Sequence, residues 1–186
     1  MKRNAAIIVA AGNGTRMGSD IPKQYMPVRG KPMIAHSFEA FLRHPMIDDI
    51  VIVVGQGQEE LARQSLSGSD APVFVRGGDS RRESVAAGLS ELSNIGGIEK
   101  VLIHDAARPG LSSDVIDRLI VELEDHSAAI PALPIVDSLA RGDTVMAETV
   151  ERENLWRIQT PQAFHFDVIT VAHNGWNSQE KATDDA

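Results

Sequence analysis

The chain has 186 residues, of which 42% are hydrophobic, 24% are charged and none is cysteine; this composition suits a globular protein with one α/β core and excludes disulfides and thiolate chemistry. No apolar run approaches the roughly 20 residues that a bilayer requires, so we expect no membrane partner and a cytoplasmic address. The formal net charge of −8 argues against a nucleic-acid partner, because such proteins usually present a basic surface to the phosphates.

Strand-like and helix-like segments alternate through the first two thirds of the chain. Strands are predicted at 5–10, 50–54, 73–75 and 101–103, where the residues are apolar and often β-branched, as in a parallel sheet buried on both faces. Helices are predicted where apolar residues recur at helical spacing, at about 33–42, 61–66, 80–92 and 112–123. This alternation predicts a doubly wound, mostly parallel sheet with its site at the carboxyl ends of the strands.

A different pattern begins near residue 128. The runs 129–139 and 144–150 are strand-like and flank the turn sequence Arg141-Gly142-Asp143, which predicts a β-hairpin. This hairpin is expected to project as an arm at about residues 131–155. No repeat, low-complexity tract or linker divides the sequence, so we predict a single domain over 1–186.

A glycine-rich loop, Gly12-Asn13-Gly14-Thr15-Arg16-Met17-Gly18, follows the first predicted strand. Its third glycine comes one position late for a dinucleotide-binding fingerprint, and Gly18 is followed by Ser19 rather than by the lysine of a P-loop. The glycines still let the backbone approach a ligand, and Arg16 and Lys23 add two cations suited to phosphate. These features favour a triphosphate cradle over the alternative of a tight turn with solvated charges.

Two further loops carry chemically useful residues. Asp105 and Arg108 follow the strand at 101–103, where a carboxylate can hold a metal or a positive group and an arginine can bind an anion; the alternative is a turn cap with a surface ion pair. Gly77-Gly78-Asp79-Ser80 opens a helix at a capping box, and its N–H groups suit an anion or a base edge, although a plain capped loop explains it nearly as well. The sequence contains neither a histidine metal motif nor a nucleophile elbow.

Five pieces of the sequence, spread over nearly its whole length, occur in the same order in one protein family: AAGNGTRMG, PKQY, GGDSRRESV, HDAARP and TVERENLWRIQTPQAF. On these pieces the chain closely resembles the 2-C-methyl-D-erythritol 4-phosphate cytidylyltransferases of non-mevalonate isoprenoid biosynthesis. The resemblance implies a Rossmann-like nucleotidyltransferase fold and transfer of the cytidylyl group of CTP to the polyol phosphate. The products would be 4-diphosphocytidyl-2-C-methyl-D-erythritol and pyrophosphate, with Mg²⁺ as cofactor.

The resemblance also implies roles for individual residues. The catalytic residues would be Arg16 and Lys23. The nucleotide would contact Ala10, Ala11, Gly12, Gly14, Thr15, Gly78, Asp79 and Ser84, and the polyol phosphate would contact Asp105, Arg108, Ser138, Arg152 and Thr160. Asp105 would also be a metal ligand, directly or through water, and Ser138 stands where the family usually has threonine. The resemblance further implies a homodimer in which the arm places Arg152 at the partner's site. The spacing of Arg152 in the sequence does not distinguish this role from a position in solvent.

One departure and two alternatives accompany this resemblance. The family continues past the motif Thr183-Asp184-Asp185-Ala186 into a closing segment with a further lysine, and some members then carry a methylerythritol cyclodiphosphate synthase domain. We therefore expect the domain over 1–186 to lack that closing segment, either because these residues are part of a longer polypeptide or because the element is missing. One alternative is a ribitol 5-phosphate cytidylyltransferase, although HDAARP favours the methylerythritol enzyme. The other is a catalytically idle nucleotide-binding subunit, which the retention of Arg16, Lys23, Asp105 and Arg108 opposes.

Overall fold

The computed structural model describes residues 2–12, 21–66, 72–176 and 185. Its strands are β1 (Arg3–Ala10), β2 (Pro27–Val28), β3 (Lys31–Pro32), β4 (Asp49–Val54), β5 (Val73–Arg76), β6 (Ile98–Asp105), β7 (Ala128–Ala129), β8 (Ala132–Pro134), β9 (Leu139–Gly142), β10 (Met146–Val150), β11 (Trp156–Ile158) and β12 (Gln162–His165). Its α-helices are α1 (Met33–Leu42), α2 (Glu59–Ser65), α3 (Arg81–Ile95), α4 (Ser113–Glu122) and α5 (Phe166–Gly175), and a short 3₁₀ helix covers Lys23–Tyr25.

Within the described residues, the central sheet has six strands in the order β5-β4-β1-β6-β12-β7. The pairs β4–β5, β1–β4 and β1–β6 are parallel, while β12 runs antiparallel to both β6 and β7. The predicted mostly parallel sheet is therefore confirmed, and its first four strands coincide with the four predicted runs. The antiparallel edge formed by β12 and β7 was not predicted.

Helices cover both faces of this sheet, as a doubly wound fold requires. Alternate residues of a strand point to opposite faces, so in β1 Ala6 and Ile8 pack with α1 and α4, around Phe38 and Ile116. On the other face Ile7 packs with α3 and α5, in the cluster that contains Leu89 and Ile169. Burial on both faces explains why these strands are continuous apolar runs.

The predicted hairpin exists, but its first strand and its turn were placed wrongly. Within the predicted strand 129–139, β7 joins the central sheet and β8 pairs with β11. Pro131 lies between β7 and β8 and accounts for this division, because proline has no N–H to donate to a continuous ladder; Pro134 is the last residue of β8. Arg141 lies in β9, opposite Glu148 of β10, so the turn falls at residues 143–145 rather than at 141–143.

We call residues 132–158, from β8 to β11, the hairpin arm. Its paired strands form two separate two-stranded sheets and are not hydrogen-bonded into the central sheet. Over the parts of the chain that the structure describes, no helix is long and apolar enough to cross a bilayer.

Candidate active site

A cavity of about 820 Å³ lies at the carboxyl ends of the parallel strands, where the topology predicts it. Its walls are residues 9–12 at the end of β1, residues 55–56 after β4, residues 76–81 at the end of β5, and Asp105 and Ala107 at the end of β6. Lys23, Gln24 and Ser84 complete the lining. Parallel strands end at the same edge of a sheet, so segments far apart in sequence meet here. The cavity is large enough for a nucleotide-sized ligand.

The structure brings many of the predicted site residues to this cavity. Those that line it are Ala10, Ala11, Gly12, Lys23, Gly78, Asp79, Ser84 and Asp105. Gly14, Thr15 and Arg16 lie outside the described residues. Arg108 and Thr160 are bonded to Asp105 at the edge of the cavity, whereas Ser138 and Arg152 lie on the hairpin arm.

The wall formed by residues 77–84 is closely packed against the loop after β1. A Cβ atom on Gly77 would lie 2.6 Å from Ser84 Oγ and 2.7 Å from Ala11 Cβ, so only glycine fits there without displacement. The Gly77 N–H donates to the carbonyl of Val54 at 2.8 Å. This contact fixes the start of the loop at the end of β4, and it puts the following backbone at the cavity surface.

Helix α3 begins at this wall with the predicted capping box, which the structure confirms. The Glu83 N–H donates to Ser80 Oγ at 3.1 Å, and the Ser80 N–H donates back to Glu83 Oε2 at 2.9 Å. Ser84 is buried, and its hydroxyl donates to the Ser80 carbonyl at 2.9 Å. With its proton held within the helix, Ser84 can offer a ligand only an acceptor lone pair.

Gln24 is a cavity residue that the sequence analysis did not identify. Its side-chain amide is buried and donates to the carbonyls of Ala10 at 2.6 Å and Gly12 at 2.8 Å. It therefore holds the loop after β1 against the 3₁₀ helix that carries Lys23. The signal available in the sequence was a glutamine directly after that lysine in PKQY, but glutamine is common on surfaces, and only the fold shows it buried.

Asp105 is bound by two arginines at the edge of the cavity. Arg108 Nε donates to Asp105 Oδ2 at 3.0 Å, and Arg81 Nε donates to Oδ1 at 3.2 Å. Arg81 also pairs with the buried carboxylate of Asp185. Burial lowers the pKa of Arg81, but the charges of Asp185 and Asp105 outweigh that effect and raise its pKa above the ordinary value. Arg81 is a second site residue that the sequence analysis missed.

Over the described part of the chain, few protein carboxylates at the cavity edge are available to bind a Mg²⁺ ion. The described residues contain no group of three or more His, Cys, Asp or Glu side chains that could bind a metal ion. A single carboxylate suffices when substrate phosphates and water supply the remaining oxygens, which is the usual arrangement for Mg²⁺ at nucleotides. Asp105 fits that arrangement and does not fit a cage made by the protein alone.

His104 and Thr160 connect the two loops behind Asp105. Thr160 Oγ1 lies 3.0 Å from His104 Nδ1 and accepts a hydrogen bond from the Asp105 N–H at 3.3 Å. The other ring nitrogen, Nε2, lies 3.1 Å from the Arg108 carbonyl. Burial lowers the pKa of His104 to about 4, although its hydrogen bond to Arg108 and the charge of Asp105 oppose the shift. The ring is therefore neutral near pH 7.

The hairpin arm presents its candidate residues to solvent. Ser138 and Arg152 are both exposed, and Arg152 Nη1 donates to the carbonyl of Val136 within the arm. The arm also exposes large apolar side chains, namely Leu133, Val136, Val145, Met146, Leu155 and Trp156. Apolar exposure on this scale is typical of a surface that contacts another protein.

Comparison with known proteins gives one consistent result. The family model described as "IspD: 2-C-methyl-D-erythritol 4-phosphate cytidylyltransferase" matches residues 4–186. Among curated relatives, the "Bifunctional enzyme IspD/IspF" of Rhizorhabdus wittichii is 47% identical over 182 residues, which are 98% of this chain and 47% of the relative. The 2-C-methyl-D-erythritol 4-phosphate cytidylyltransferase of Ralstonia nicotianae is 43% identical over 198 residues, covering 100% of this chain and 78% of the relative.

Solved structures agree with these sequence relatives. The 2-C-methyl-D-erythritol 4-phosphate cytidylyltransferase of Francisella tularensis superposes with a TM-score of 0.82 at 29% identity, covering 100% of this chain and 84% of that one. The bifunctional IspDF of Campylobacter jejuni gives a TM-score of 0.80 at 26% identity, covering 99% of this chain and 46% of that one. This chain thus spans about half the length of the bifunctional relatives that it matches.

Proposed function

Because the chain belongs to the 2-C-methyl-D-erythritol 4-phosphate cytidylyltransferase family, we propose that it transfers the cytidylyl group of CTP to 2-C-methyl-D-erythritol 4-phosphate. In this reaction an oxygen of the polyol phosphate attacks the α-phosphorus of CTP, the bond between the α-phosphorus and its bridging oxygen to the β-phosphate breaks, and pyrophosphate leaves. The products are 4-diphosphocytidyl-2-C-methyl-D-erythritol and pyrophosphate.

The observation that supports this proposal most strongly is that one cavity has two walls with different chemistry. One wall is the glycine loop at 77–78 with the Ser84 hydroxyl, which suits a nucleoside. The other is Asp105 with its bound arginines, which suits a polyhydroxylated anion. Lys23 lines the same cavity, where a cation can neutralise a triphosphate between the two.

The proposed reaction requires little covalent chemistry from the protein. A phosphate is already an anionic nucleophile near pH 7, so neither a general base nor a nucleophilic side chain is needed. His104 is buried and engaged at both nitrogens, consistent with its having no role as a base. The work left to the protein is alignment and stabilisation of charge at the α-phosphate, which we assign to Lys23 and to Arg16.

Mg²⁺ would be held by the triphosphate, by water and by Asp105, and when bound it would neutralise charge that develops on the leaving pyrophosphate. The nucleotide contacts we propose are the backbone at Ala10, Ala11, Gly12, Gly14 and Thr15 with Gly78, Asp79 and Ser84. Asp105, Arg108 and Thr160 would bind the polyol phosphate.

We further propose that the protein acts as a cytoplasmic homodimer. The exposed apolar surface of the hairpin arm supports an arm that contacts a second copy of the chain. Arg152 and Ser138 are exposed on the arm and are absent from the lining of the cavity of their own chain. Both are therefore available to the polyol phosphate bound by the partner.

The experiment that tests this function measures pyrophosphate release by the full-length protein with CTP, Mg²⁺ and either 2-C-methyl-D-erythritol 4-phosphate or ribitol 5-phosphate. We expect turnover on the methylerythritol substrate and little on ribitol phosphate. The reverse preference would assign the ribitol enzyme. Binding of CTP without turnover on either polyol phosphate would assign an idle nucleotide-binding subunit.

A further inference from the structure

The imidazole of His104 connects two loops without reaching the cavity itself. His104 is 1% exposed, and its ring packs edge-on against Phe41 with 5.6 Å between ring centroids. One ring nitrogen meets Thr160 and the other meets the carbonyl of Arg108. The loop after β6 and the loop before β12 are thereby joined through a single side chain.

The hydrogen-bond partners determine which nitrogen carries the proton. The Arg108 carbonyl can only accept, so Nε2 of His104 must donate. In the neutral ring Nδ1 is then an acceptor, and the Thr160 hydroxyl must donate to it. The same hydroxyl oxygen accepts from the Asp105 N–H at 3.3 Å. The result is one directed chain from Asp105 through Thr160 and His104 to Arg108.

This chain limits what Thr160 can do for a ligand. Its only proton is committed to His104, and one of its two lone pairs is used by Asp105. The remaining lone pair can accept from a hydroxyl, but Thr160 cannot donate to a phosphate oxygen while the chain is intact. Arg108 Nη1 adds a second link between the two loops by donating to Gln159 Oε1 at 2.8 Å.

We propose that His104 is a positioning residue for the polyol half of the site: it orients the Thr160 hydroxyl to accept from a substrate hydroxyl and anchors the turn that carries Arg108. This inference rests on the proposed cytidylyltransferase function. It assigns His104 no contact with substrate. Because both hydrogen bonds of the His104 ring go to residues of the polyol wall, Arg108 and Thr160, its loss should weaken use of the polyol phosphate and leave CTP binding unchanged.

Two amide variants separate the two hydrogen bonds of the ring. Asn in place of His104 presents an acceptor near the position of Nδ1, and Gln presents a donor near the position of Nε2. We expect His104→Gln to raise KM for the polyol phosphate roughly 3- to 10-fold, the effect of one lost hydrogen bond, with KM for CTP unchanged. His104→Asn should stay closer to wild type. The same changes at His126, which is exposed at the end of α4, serve as controls and should change neither KM.

Three outcomes decide the inference. A wild-type KM for the polyol phosphate in His104→Gln, or an equal rise in both KM values, overturns it, because a purely structural residue would affect both substrates. If both amide variants fail to fold, the ¹⁵N chemical shifts of the wild-type imidazole still test the chain: a proton on Nε2 supports it and a proton on Nδ1 overturns it. If the wild-type protein does not turn over either polyol phosphate, the proposed function fails, and these chemical shifts still decide whether His104 orients Thr160.

Discussion

The cavity and the hairpin arm position their candidate residues in opposite ways. At the cavity, Gly77 leaves no room for a side chain, and Gln24 and Ser84 are buried with their polar atoms bonded inside the chain. On the arm, Ser138 and Arg152 are exposed. The described cavity residues are thus held in place by contacts within their own chain, whereas Ser138 and Arg152 of the arm face solvent.

This difference separates two kinds of substitution. Changes at the cavity should act within one chain and should reduce nucleotide use or stability, because preorganised groups there carry the charge stabilisation. Changes on the arm should act across chains and should spare the stability of the fold.

Loss of the cavity lysine should have the largest effect. In Lys23→Ala we expect kcat/KM to fall by about two to three orders of magnitude, roughly 3–4 kcal/mol in the barrier, because a cation aimed at developing charge is lost. Pyrophosphate release measures this. Lys31→Ala is the matched control. Lys31 does not line the cavity, and its Nζ lies 2.5 Å from Glu39 Oε1, so this variant should retain activity. Near-normal turnover of Lys23→Ala would remove this residue from the mechanism. We expect the same loss in Arg16→Ala, on sequence grounds.

Substitution of the arm residue Arg152 should have the next largest effect, and the lost activity should be restored by a second chain that carries Arg152. Arg152→Ala removes a charged donor from a phosphate, which is worth roughly 1.5–3 kcal/mol, or about 10- to 100-fold in kcat/KM. Heterodimers of one Arg152→Ala chain and one Lys23→Ala chain can be purified through two different tags. If each arm supplies residue 152 to the cavity of the other chain, one cavity of the heterodimer has both Lys23 and Arg152 and the other has neither.

Such heterodimers should recover roughly half of the wild-type turnover per dimer. Mixed homodimers that have not exchanged subunits are the control and should show only the residual activity of each variant. Recovery would establish that Arg152 serves the partner's site. Heterodimers that stay as inactive as the two parents would place Arg152 at the site of its own chain and would erase the division between cavity and arm.

Acid should destabilise the protein through the interior of the site. Burial depresses the pKa of His104 from its ordinary 6.5 to about 4. Between these values the unfolded chain binds a proton that the folded chain does not, so folding stability falls as the pH drops through 6.5 and towards 4. We expect the His104 contribution at pH 5 to be about 2 kcal/mol less favourable than at pH 8.

Urea unfolding at both pH values measures this contribution. His104→Gln has no ring to titrate, so the difference in unfolding free energy between wild type and this variant should change with pH by about that amount. His126→Gln is the matched control, a histidine substitution at an exposed position outside the site. A pH profile that is the same for wild type and His104→Gln would contradict the assignment of a neutral, buried His104.

Parts of this structure were predictable because local sequence determines them. The runs that became β1, β4 and β6 are continuous, apolar and rich in β-branched residues, and the capping box at Ser80 lies within one helical turn. The topology rule for parallel sheets then placed the cavity correctly. The strand β12 was missed because Gln162-Ala163-Phe164-His165 is not a continuous β-branched run, and its pairing partner β6 lies about sixty residues earlier in the chain.

The residues that were missed at the site share one property: their role arises from a contact between distant segments. Gln24 acts on the carbonyl of Ala10, Arg81 acts on Asp105, and His104 acts on Thr160. No local pattern marks such residues, because glutamine, arginine and histidine are ordinary surface types. The break between β7 and β8 had a local cause in Pro131, because proline has no N–H to donate to a continuous ladder.

The smallest predicted effect concerns the helix cap at the cavity wall. Ser80→Ala removes the hydroxyl that accepts from the Glu83 N–H and should lower the free energy of unfolding by about 1 kcal/mol. Ser112 is the matched control, because it occupies the N-cap of α4 without a side-chain capping bond; Ser112→Ala should therefore cost much less. Since Ser80 lines the cavity and Ser112 does not, the first variant should also raise KM for CTP. An equal loss of unfolding free energy in both variants would mean that the Ser80 capping bond does not stabilise the start of α3.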